Sequence, residues 1–246
     1  MSSTIDMRAS VLIIGNSDGI GLAVTRRLLE RGHVVTGISR SPSVIVDEPR
    51  YTHHVADVRS AEYDDIVRGV CSASADESSA AGLPALDVCI YCAGIGEELD
   101  LDQLVADAAV FEVNLMGLVR TVALVMPTFL AAGRGHFIGL SSQGDRFLNV
   151  DAPSYSASKA GVSSYLEALA LAVRGRGVHV TNVRFGFVAT KMARSAMRPF
   201  EISADRAARC LERCLERRPV RYTYPRRMAV VLAFANAINR VRTWLA

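Results

Sequence analysis

Apolar runs and amphipathic stretches alternate along most of the chain. Runs rich in apolar and β-forming residues, which predict strands, are found at 8–14, 33–39, 51–55, 86–94, 135–142 and 177–185. Residues at helical spacing predict helices after a glycine turn at 15–21, near 60–72, over about 105–132 and from 154 to 174. Each parallel strand pair needs a crossover that covers one face of the sheet. The pattern therefore predicts an α/β fold, a doubly wound parallel sheet with helices on both faces.

The C-terminal part is predicted to contribute one more strand and one long helix. Residues 220–225 are a candidate strand, so we expect a domain over 1–225 and an amphipathic helix, 226–246, appended to it. The uninterrupted apolar run in this helix is only 8 residues long, whereas a bilayer span needs about 20. The apolar stripe of the helix comprises Val231, Phe234, Ile238, Val241 and Leu245.

Composition places the chain among single-domain globular proteins. With 246 residues, 50% of them hydrophobic and 22% charged, it is long enough to fold without disulfides or metals. The number of cysteines, 5, is odd, and the first residues lack the pattern of a secretion signal, so we expect a cytoplasmic protein. Cys89 and Cys92 would point to opposite faces of a strand, and Cys210 and Cys214 have no neighbouring His. We therefore expect no metal site.

Charge is distributed unevenly between the two parts of the chain. Residues 198–246 carry 11 Arg and 4 acidic residues, a local charge of +7, whereas the preceding residues sum to −4. The arginines alternate with Glu212, Glu216 and apolar residues instead of forming a basic run. We therefore expect no nucleic-acid partner.

A glycine turn connects the first predicted strand to the first predicted helix. Gly15, Gly19 and Gly21 stand at this junction. Glycines there let the backbone approach a pyrophosphate, and the helix N-terminus offers unpaired N–H groups. The position of the turn between strand and helix indicates a nucleotide site more strongly than the glycines alone do.

The end of the second predicted strand indicates which dinucleotide binds. An acidic residue at this place would bind a ribose 2′-hydroxyl, but the chain has Ser39 and Arg40 instead. A guanidinium can pair with a 2′-phosphate and stack on adenine, so we expect NADP(H) to be preferred over NAD(H). Asp18 in the glycine turn argues the other way, because its charge would oppose a phosphate, although it could also cap the helix.

Ser142, Tyr155 and Lys159 form the sharpest chemical signal in the chain. Tyr155 and Lys159 are four residues apart, so they share one face of a predicted helix. The ammonium is expected to lower the pKa of the phenol and make it an acid or base near neutral pH. Ser142 ends a strand and can hold a carbonyl oxygen beside the phenol, and Ser141 is the alternative for that role.

These motifs together resemble the short-chain dehydrogenase/reductase superfamily over residues 8 to about 190. The resemblance implies a single Rossmann-like domain that transfers a hydride between NAD(P) and a small-molecule carbonyl or alcohol. It implies Tyr155 as proton donor and acceptor, Ser142 as the residue that orients the carbonyl, Lys159 as a ligand of the nicotinamide ribose, and Asn114 in a water relay to Lys159. The cofactor-binding residues that it implies are Gly15, Ser17, Asp18, Gly19, Ile20, Gly21, Ser39, Arg40, Asp57, Val58, Ala93, Gly94, Asn114, Tyr155, Lys159, Val188 and Thr190.

Three positions depart from the family pattern. Ile14 replaces the usual Thr, Cys92 replaces the Asn of Asn-Ala-Gly, and Phe185 replaces a Pro. A protein that senses nucleotides or acts as a scaffold, with little turnover, is therefore an alternative to an oxidoreductase. A lyase or dehalogenase on the same fold is disfavoured, because such relatives lose the glycine turn and replace the Lys with Arg.

The remaining expectations concern the substrate and the partners. Phe187, Met192, Met197 and Phe200 in the segment 186–203, together with the loop 143–153, would favour an apolar substrate, or they pack in the core. The resemblance implies a homodimer or homotetramer that assembles through the two long helices. The stripe of the C-terminal helix either packs on the chain's own body or over the substrate pocket, joins that interface, or rests on an anionic membrane, which Trp244 and the flanking arginines would favour.

Overall fold

The computed structural model describes residues 8–73, 85–192 and 198–245. Seven α-helices and nine strands lie in these ranges, with a π-helical turn at Glu112–Met116 and a 3₁₀ turn at Gln143–Arg146. In chain order the elements are β1 (Ser10–Ile14), α1 (Gly19–Glu30), β2 (Val34–Ser39), β3 (Tyr51–Val55), α2 (Ala61–Ala73), β4 (Leu86–Tyr91), α3 (Val105–Phe111), α4 (Gly117–Ala132), β5 (Gly135–Leu140), α5 (Pro153–Ala172), β6 (Val178–Phe185), β7 (Val188–Ala189), β8 (Ile202–Ser203), α6 (Ala204–Arg217), β9 (Arg221–Tyr224) and α7 (Arg226–Leu245).

Seven strands form one parallel sheet in the order β3-β2-β1-β4-β5-β6-β9. The chain moves outward from β1 to β3 and then returns to the other side of β1, so the order reverses between β1 and β4. In parallel sheets of this kind, ligands bind at the carboxyl ends of the strands beside such a reversal. The predicted doubly wound fold is confirmed, and β9 lies within the predicted strand segment 220–225.

The sheet has a separate apolar core on each face. Along β1, Leu12 and Ile14 enter the core beneath α2, α4 and α5, whereas Val11 and Ile13 enter the core beneath α1 and α6. This alternation follows the two-residue period of a strand, and all five β1 residues are buried because both faces are covered.

The long helix predicted over 105–132 is one helical run with a π-helical turn at its centre. The turn separates α3 from α4, and π-turns of this kind often occur at functional sites. By length and composition the run Val105–Ala132 could cross a membrane. In this fold one face of α4 packs against β4 and β5, where Leu118 and Phe129 are fully buried.

The C-terminal helix α7 follows directly after β9 and Pro225. Met228 is buried, whereas Val230, Val231 and Trp244 are exposed. The predicted stripe is therefore exposed at Val231. Its other members lie outside the side chains that the structure describes, namely those of Phe234, Ile238, Val241 and Leu245.

Candidate active site

A continuous cleft runs along the carboxyl ends of the strands. Its volume is about 1360 Å³, and it extends from the glycine turn after β1 to the first two turns of α7. Nearly all of the predicted site residues line it: Gly15, Ser17, Asp18, Gly19, Ile20, Gly21, Ser39, Arg40, Asp57, Val58, Ala93, Gly94, Ser142, Tyr155, Lys159, Val188 and Thr190. Asn114 is the exception, because it is not among the residues that line the cleft.

The glycine turn is packed tightly against the loop that follows β4. Gly15 has a φ of +82°, and a Cβ on it would lie 2.5 Å from the backbone nitrogen of Ala93. Its own N–H donates to the Ile38 carbonyl at 2.7 Å. Only glycine fits this conformation and this close approach. The turn therefore holds its backbone against β2 and β4 at the mouth of the cleft.

Asp18 precedes α1 without capping it through its side chain. Its carboxylate lies 3.7 Å from the ammonium of Lys191, which also lines the cleft. The expected conflict between Asp18 and a bound phosphate is therefore reduced, because Lys191 offsets the acidic charge at the same place.

At the opposite side of the glycine turn, the end of β2 presents Ser39 and Arg40. Ser39 is buried and donates to the Ser41 carbonyl at 2.9 Å, and Arg40 is exposed. Asp57 lies nearby after β3, where Arg59 donates to it at 2.8 Å. The Arg59 hydrogen bond lowers the pKa of Asp57, and the charge of Arg40 adds to the effect.

The deepest part of the cleft brings Ser142, Tyr155 and Lys159 together. Ser142 follows β5, accepts a hydrogen bond from the Gly144 N–H at 3.0 Å and lines the cleft beside Tyr155. One turn along α5 from Tyr155, the Lys159 ammonium lies 5.9 Å from the centre of the phenol ring. The Ser141 hydroxyl instead donates its proton to Asn182 at 2.6 Å.

The electrostatics of this trio differ from the expectation. Burial raises the pKa of Tyr155, and the hydrogen bond with Ser142 is what opposes the increase. Lys159 was expected to lower the phenol pKa, but its ammonium donates to the Leu140 carbonyl at 2.9 Å. Burial also lowers the pKa of Lys159 to about 8, so the ammonium holds its own proton weakly.

Asn114 lies within the π-helical turn and is almost completely buried. Its Oδ1 accepts from the Ile95 N–H at 2.8 Å, and its Nδ2 donates to the Ile95 carbonyl at 2.9 Å. Nδ2 also donates to Ser158 at 3.0 Å, and Ser158 donates to the Tyr155 carbonyl at 2.8 Å. Asn114 therefore links the loop after β4 to the helix that carries Tyr155.

The three departures from the family pattern all lie beside the cleft. Ile14 is fully buried, and its carbonyl accepts from the Cys92 N–H at 2.8 Å. Burial raises the pKa of Cys92 to about 12, so its thiol stays neutral beside Lys159. Phe185 is buried at the end of β6 and lines the cleft.

Two residues outside the predicted set, Met228 and Leu232 of α7, complete the far end of the cleft. Gln143, in the loop 143–153 that was expected to shape the substrate pocket, also lines the cleft and donates through Nε2 to the Pro225 carbonyl at 3.0 Å. The sequence gives no signal for Met228 or Leu232, because the face that α7 turns to the cleft depends on tertiary packing.

The predicted substrate residues are only partly at the cleft. Phe187 and Met192 line it. Phe200 is 44% exposed and is not among the lining residues. Met197 lies outside the described residues.

Comparison with known proteins shows what this chain is similar to. The family model for short chain dehydrogenases matches residues 9–199. A putative ketoacyl reductase from Streptomyces coelicolor is 30% identical over 244 residues, which cover 91% of this chain and 88% of that protein. A glycine betaine reductase from Emericella nidulans is 30% identical over 188 residues, 74% of this chain, but the match spans only 14% of that protein.

A solved structure shows the same fold. The short chain dehydrogenase from Burkholderia cenocepacia, determined in complex with NADP, superposes with a TM-score of 0.80 at 23% identity. The superposition covers 98% of this chain and 97% of that chain. The similarity therefore extends over the whole fold.

Proposed function

This chain belongs to the short-chain dehydrogenase family, and from that premise we propose that it is an NADP(H)-dependent oxidoreductase that interconverts a carbonyl and a secondary alcohol. The observation that carries the proposal is the placement of Ser142, Tyr155 and Lys159 on one cleft, with the buried Lys159 ammonium 5.9 Å from the centre of the phenol ring. A proton donor, a hydroxyl that can orient an oxygen and a cation meet there in one cleft.

The described residues fit a nicotinamide dinucleotide. Gly15, Gly19 and Gly21 of the turn line the cleft, and the first N–H groups of α1 have no Asp18 side-chain cap to compete with a pyrophosphate. Ser39 and Arg40 suit a 2′-phosphate. When bound, the cofactor would supply or remove a hydride at its nicotinamide ring.

In the reduction, Tyr155 would give its phenolic proton to the carbonyl oxygen of the substrate. Ser142 accepts from Gly144, so its own hydroxyl proton remains free to hold that oxygen beside the phenol. The phenolate that forms lies beside the Lys159 ammonium, which is 5.9 Å from the ring centre, and solvent then returns a proton to Tyr155. Oxidation of the alcohol follows the same steps in reverse.

The cofactor preference is supported by the end of β2, where no acidic residue is present to bind a ribose 2′-hydroxyl. Ser39 and Arg40 stand there instead. The complex of the Burkholderia relative with NADP supports the same choice.

The substrate is proposed to be apolar. Phe187, Met192, Met228 and Leu232 line the end of the cleft beyond Tyr155. The putative ketoacyl reductase among the relatives is consistent with such a substrate. We further propose that the protein is cytoplasmic and assembles into a homodimer or homotetramer.

An assay of NADPH oxidation with a panel of apolar ketones and aldehydes tests the proposal. We expect consumption of NADPH that depends on the carbonyl compound. Tight NADPH binding without turnover on any member of the panel would favour the alternative, a nucleotide sensor or scaffold. Failure to bind NADPH at all would refute both.

A further inference from the structure

A chain of polar side chains connects the glycine turn to the loop after β2, and none of them was expected to have a role. It starts at Asn16, which is fully buried in the turn and donates to the Tyr51 hydroxyl at 2.7 Å. The hydroxyl lies 3.0 Å from Nδ1 of His53 on the same strand, β3. Nε2 of His53 lies 3.1 Å from the Ser41 carbonyl. These three side chains therefore span from the glycine turn, across β2, to the 39–41 loop.

The chemistry of the contacts fixes their direction. A backbone carbonyl can only accept, so Nε2 of His53 carries the proton that it donates to Ser41. In the neutral ring, Nδ1 is then an acceptor that faces the Tyr51 hydroxyl at 3.0 Å, and the same hydroxyl contacts the Ser43 hydroxyl at 3.0 Å. Asn16 in turn donates to Tyr51. Burial lowers the pKa of His53, which favours this neutral form.

Gly37, in the middle of β2, leaves space for the Asn16 side chain. A Cβ on Gly37 would lie 2.0 Å from Nδ2 of Asn16, so any larger residue would displace the Asn16 side chain. The bare backbone at Gly37 allows Asn16 to reach across β2 to Tyr51. The chain of hydrogen bonds from Asn16 to the Ser41 carbonyl therefore depends on glycine at position 37.

The Ser41 carbonyl receives two hydrogen bonds, one from His53 and one from Ser39 at 2.9 Å. Arg40 stands between the two serines, so its backbone is held on both sides while its side chain is exposed at the cleft. A held backbone reduces the entropy that a guanidinium loses when it pairs with a phosphate.

From this geometry we propose that His53 is a positioning residue for the cofactor: it fixes the 39–41 loop so that the Arg40 guanidinium meets the 2′-phosphate of NADPH. The inference rests on the proposed function, because it needs the 2′-phosphate to bind at this loop. It adds a residue that does not line the cleft and acts through Ser41, with the Ser39 hydroxyl 3.4 Å from the same ring nitrogen.

Direct binding measurements with NADPH and NADH on the intact protein test this role. His53→Ala removes the donor to Ser41, and we expect the Kd of NADPH to rise about fivefold, the effect of one lost hydrogen bond. NADH has no 2′-phosphate, so its Kd should stay within about twofold. His53→Gln, which can still donate to Ser41, should restore most of the selectivity. His54→Ala, one residue further along β3, is the matched control and should leave both affinities unchanged.

The outcomes separate this inference from the proposed function. A parent protein that binds both cofactors equally would refute the NADPH preference, and the positioning role would fall with it. A parent that prefers NADPH, combined with a His53→Ala variant that keeps the same preference, would overturn only the role of His53. An equal loss of affinity for both cofactors would show that His53 is merely structural. If His53→Ala does not fold, an unselective His53→Gln variant overturns the role in the same way.

Discussion

The Lys159 ammonium donates its hydrogen bond to the backbone carbonyl of Leu140, 2.9 Å away, instead of to a side chain. The buried cation is thus tied to the end of β5, two residues before Ser142. A carbonyl dipole compensates only part of the cost of burial, and the pKa of Lys159 falls to about 8. Lys159 therefore costs stability in the form that catalysis requires.

This cost predicts a pH dependence of stability. The pKa of Lys159 is lower in the folded protein than in the unfolded chain, so the unfolded state binds more protons between about pH 8 and pH 10.5. The free energy of unfolding of the parent should therefore rise by about 1 kcal/mol from pH 7 to pH 9, relative to Lys159→Met. Urea unfolding of both proteins without cofactor measures it. Lys191→Met removes an exposed ammonium and is the control, and a Lys159→Met profile parallel to the parent's would contradict the assignment.

Replacement of the phenol should separate chemistry from binding. We expect Tyr155→Phe to reduce kcat by about 10³-fold and to leave the Kd of NADPH nearly unchanged, because it removes the proton and little volume. Lys159→Ala should impair both quantities. Tyr165→Phe alters a partly buried tyrosine on the same helix and serves as the control. A Tyr155→Phe variant that retains most of the parent rate would refute the mechanism.

Arg40 should determine the cofactor preference. Arg40→Ala is expected to lower kcat/KM with NADPH about tenfold and to leave kcat/KM with NADH unchanged, because the guanidinium meets only the 2′-phosphate. Steady-state kinetics with each cofactor measure the ratio. Arg50→Ala removes a guanidinium that pairs with Glu48 and should change neither value. Equal efficiency of the parent with both cofactors would contradict the preference.

The sheet and the placement of Ser142, Tyr155 and Lys159 on one cleft were predictable for physical reasons. Strand and helix periods are local properties, and the spacing of Tyr155 and Lys159 is enough to place them on one helical face. The π-helical turn at Asn114 was not predictable, because the paired hydrogen bonds of Asn114 with Ile95 form only in the folded chain. The role of His53 was equally hidden, since it depends on the register between β2 and β3.

The outer faces of two helical segments predict self-association. Leu171 on α5 is 65% exposed. The run from α3 to α4 also exposes apolar side chains, namely those of Val105, Phe111, Met116 and Leu130. Burial of these faces against a second copy would remove apolar surface from water, so sedimentation should show a dimer or tetramer.

We expect Leu171→Glu to weaken the assembly and Val46→Glu, a change at another exposed site, to leave it intact. A monomeric parent would refute self-association, and an assembly unchanged by truncation after Pro225 would place α7 outside the interface.

The C-terminal helix α7 should influence which substrates are accepted. Met228 and Leu232 are one turn apart and both line the far end of the cleft. The Asn236 side chain accepts from the Leu148 N–H at 3.3 Å, which ties the next turn of α7 to the loop before α5. The sequence left three surfaces open for α7: the chain's own body, a partner subunit or a membrane. At Met228, Leu232 and Asn236, α7 contacts the chain's own body.

A larger side chain at Leu232 should therefore narrow the far end of the cleft without contacting Ser142, Tyr155 or Lys159. We expect Leu232→Trp to raise KM about tenfold for the bulkiest ketones accepted by the parent and to change kcat/KM for the smallest ones less than about twofold. Val230 is on the same helix, 72% exposed and absent from the cleft wall, so Val230→Trp is the matched control. An equal loss of kcat/KM for large and small ketones would indicate that Leu232→Trp disturbs the fold as a whole. An unchanged KM accompanied by altered sedimentation or liposome flotation would show that this face of α7 serves a partner subunit or a membrane instead of the substrate.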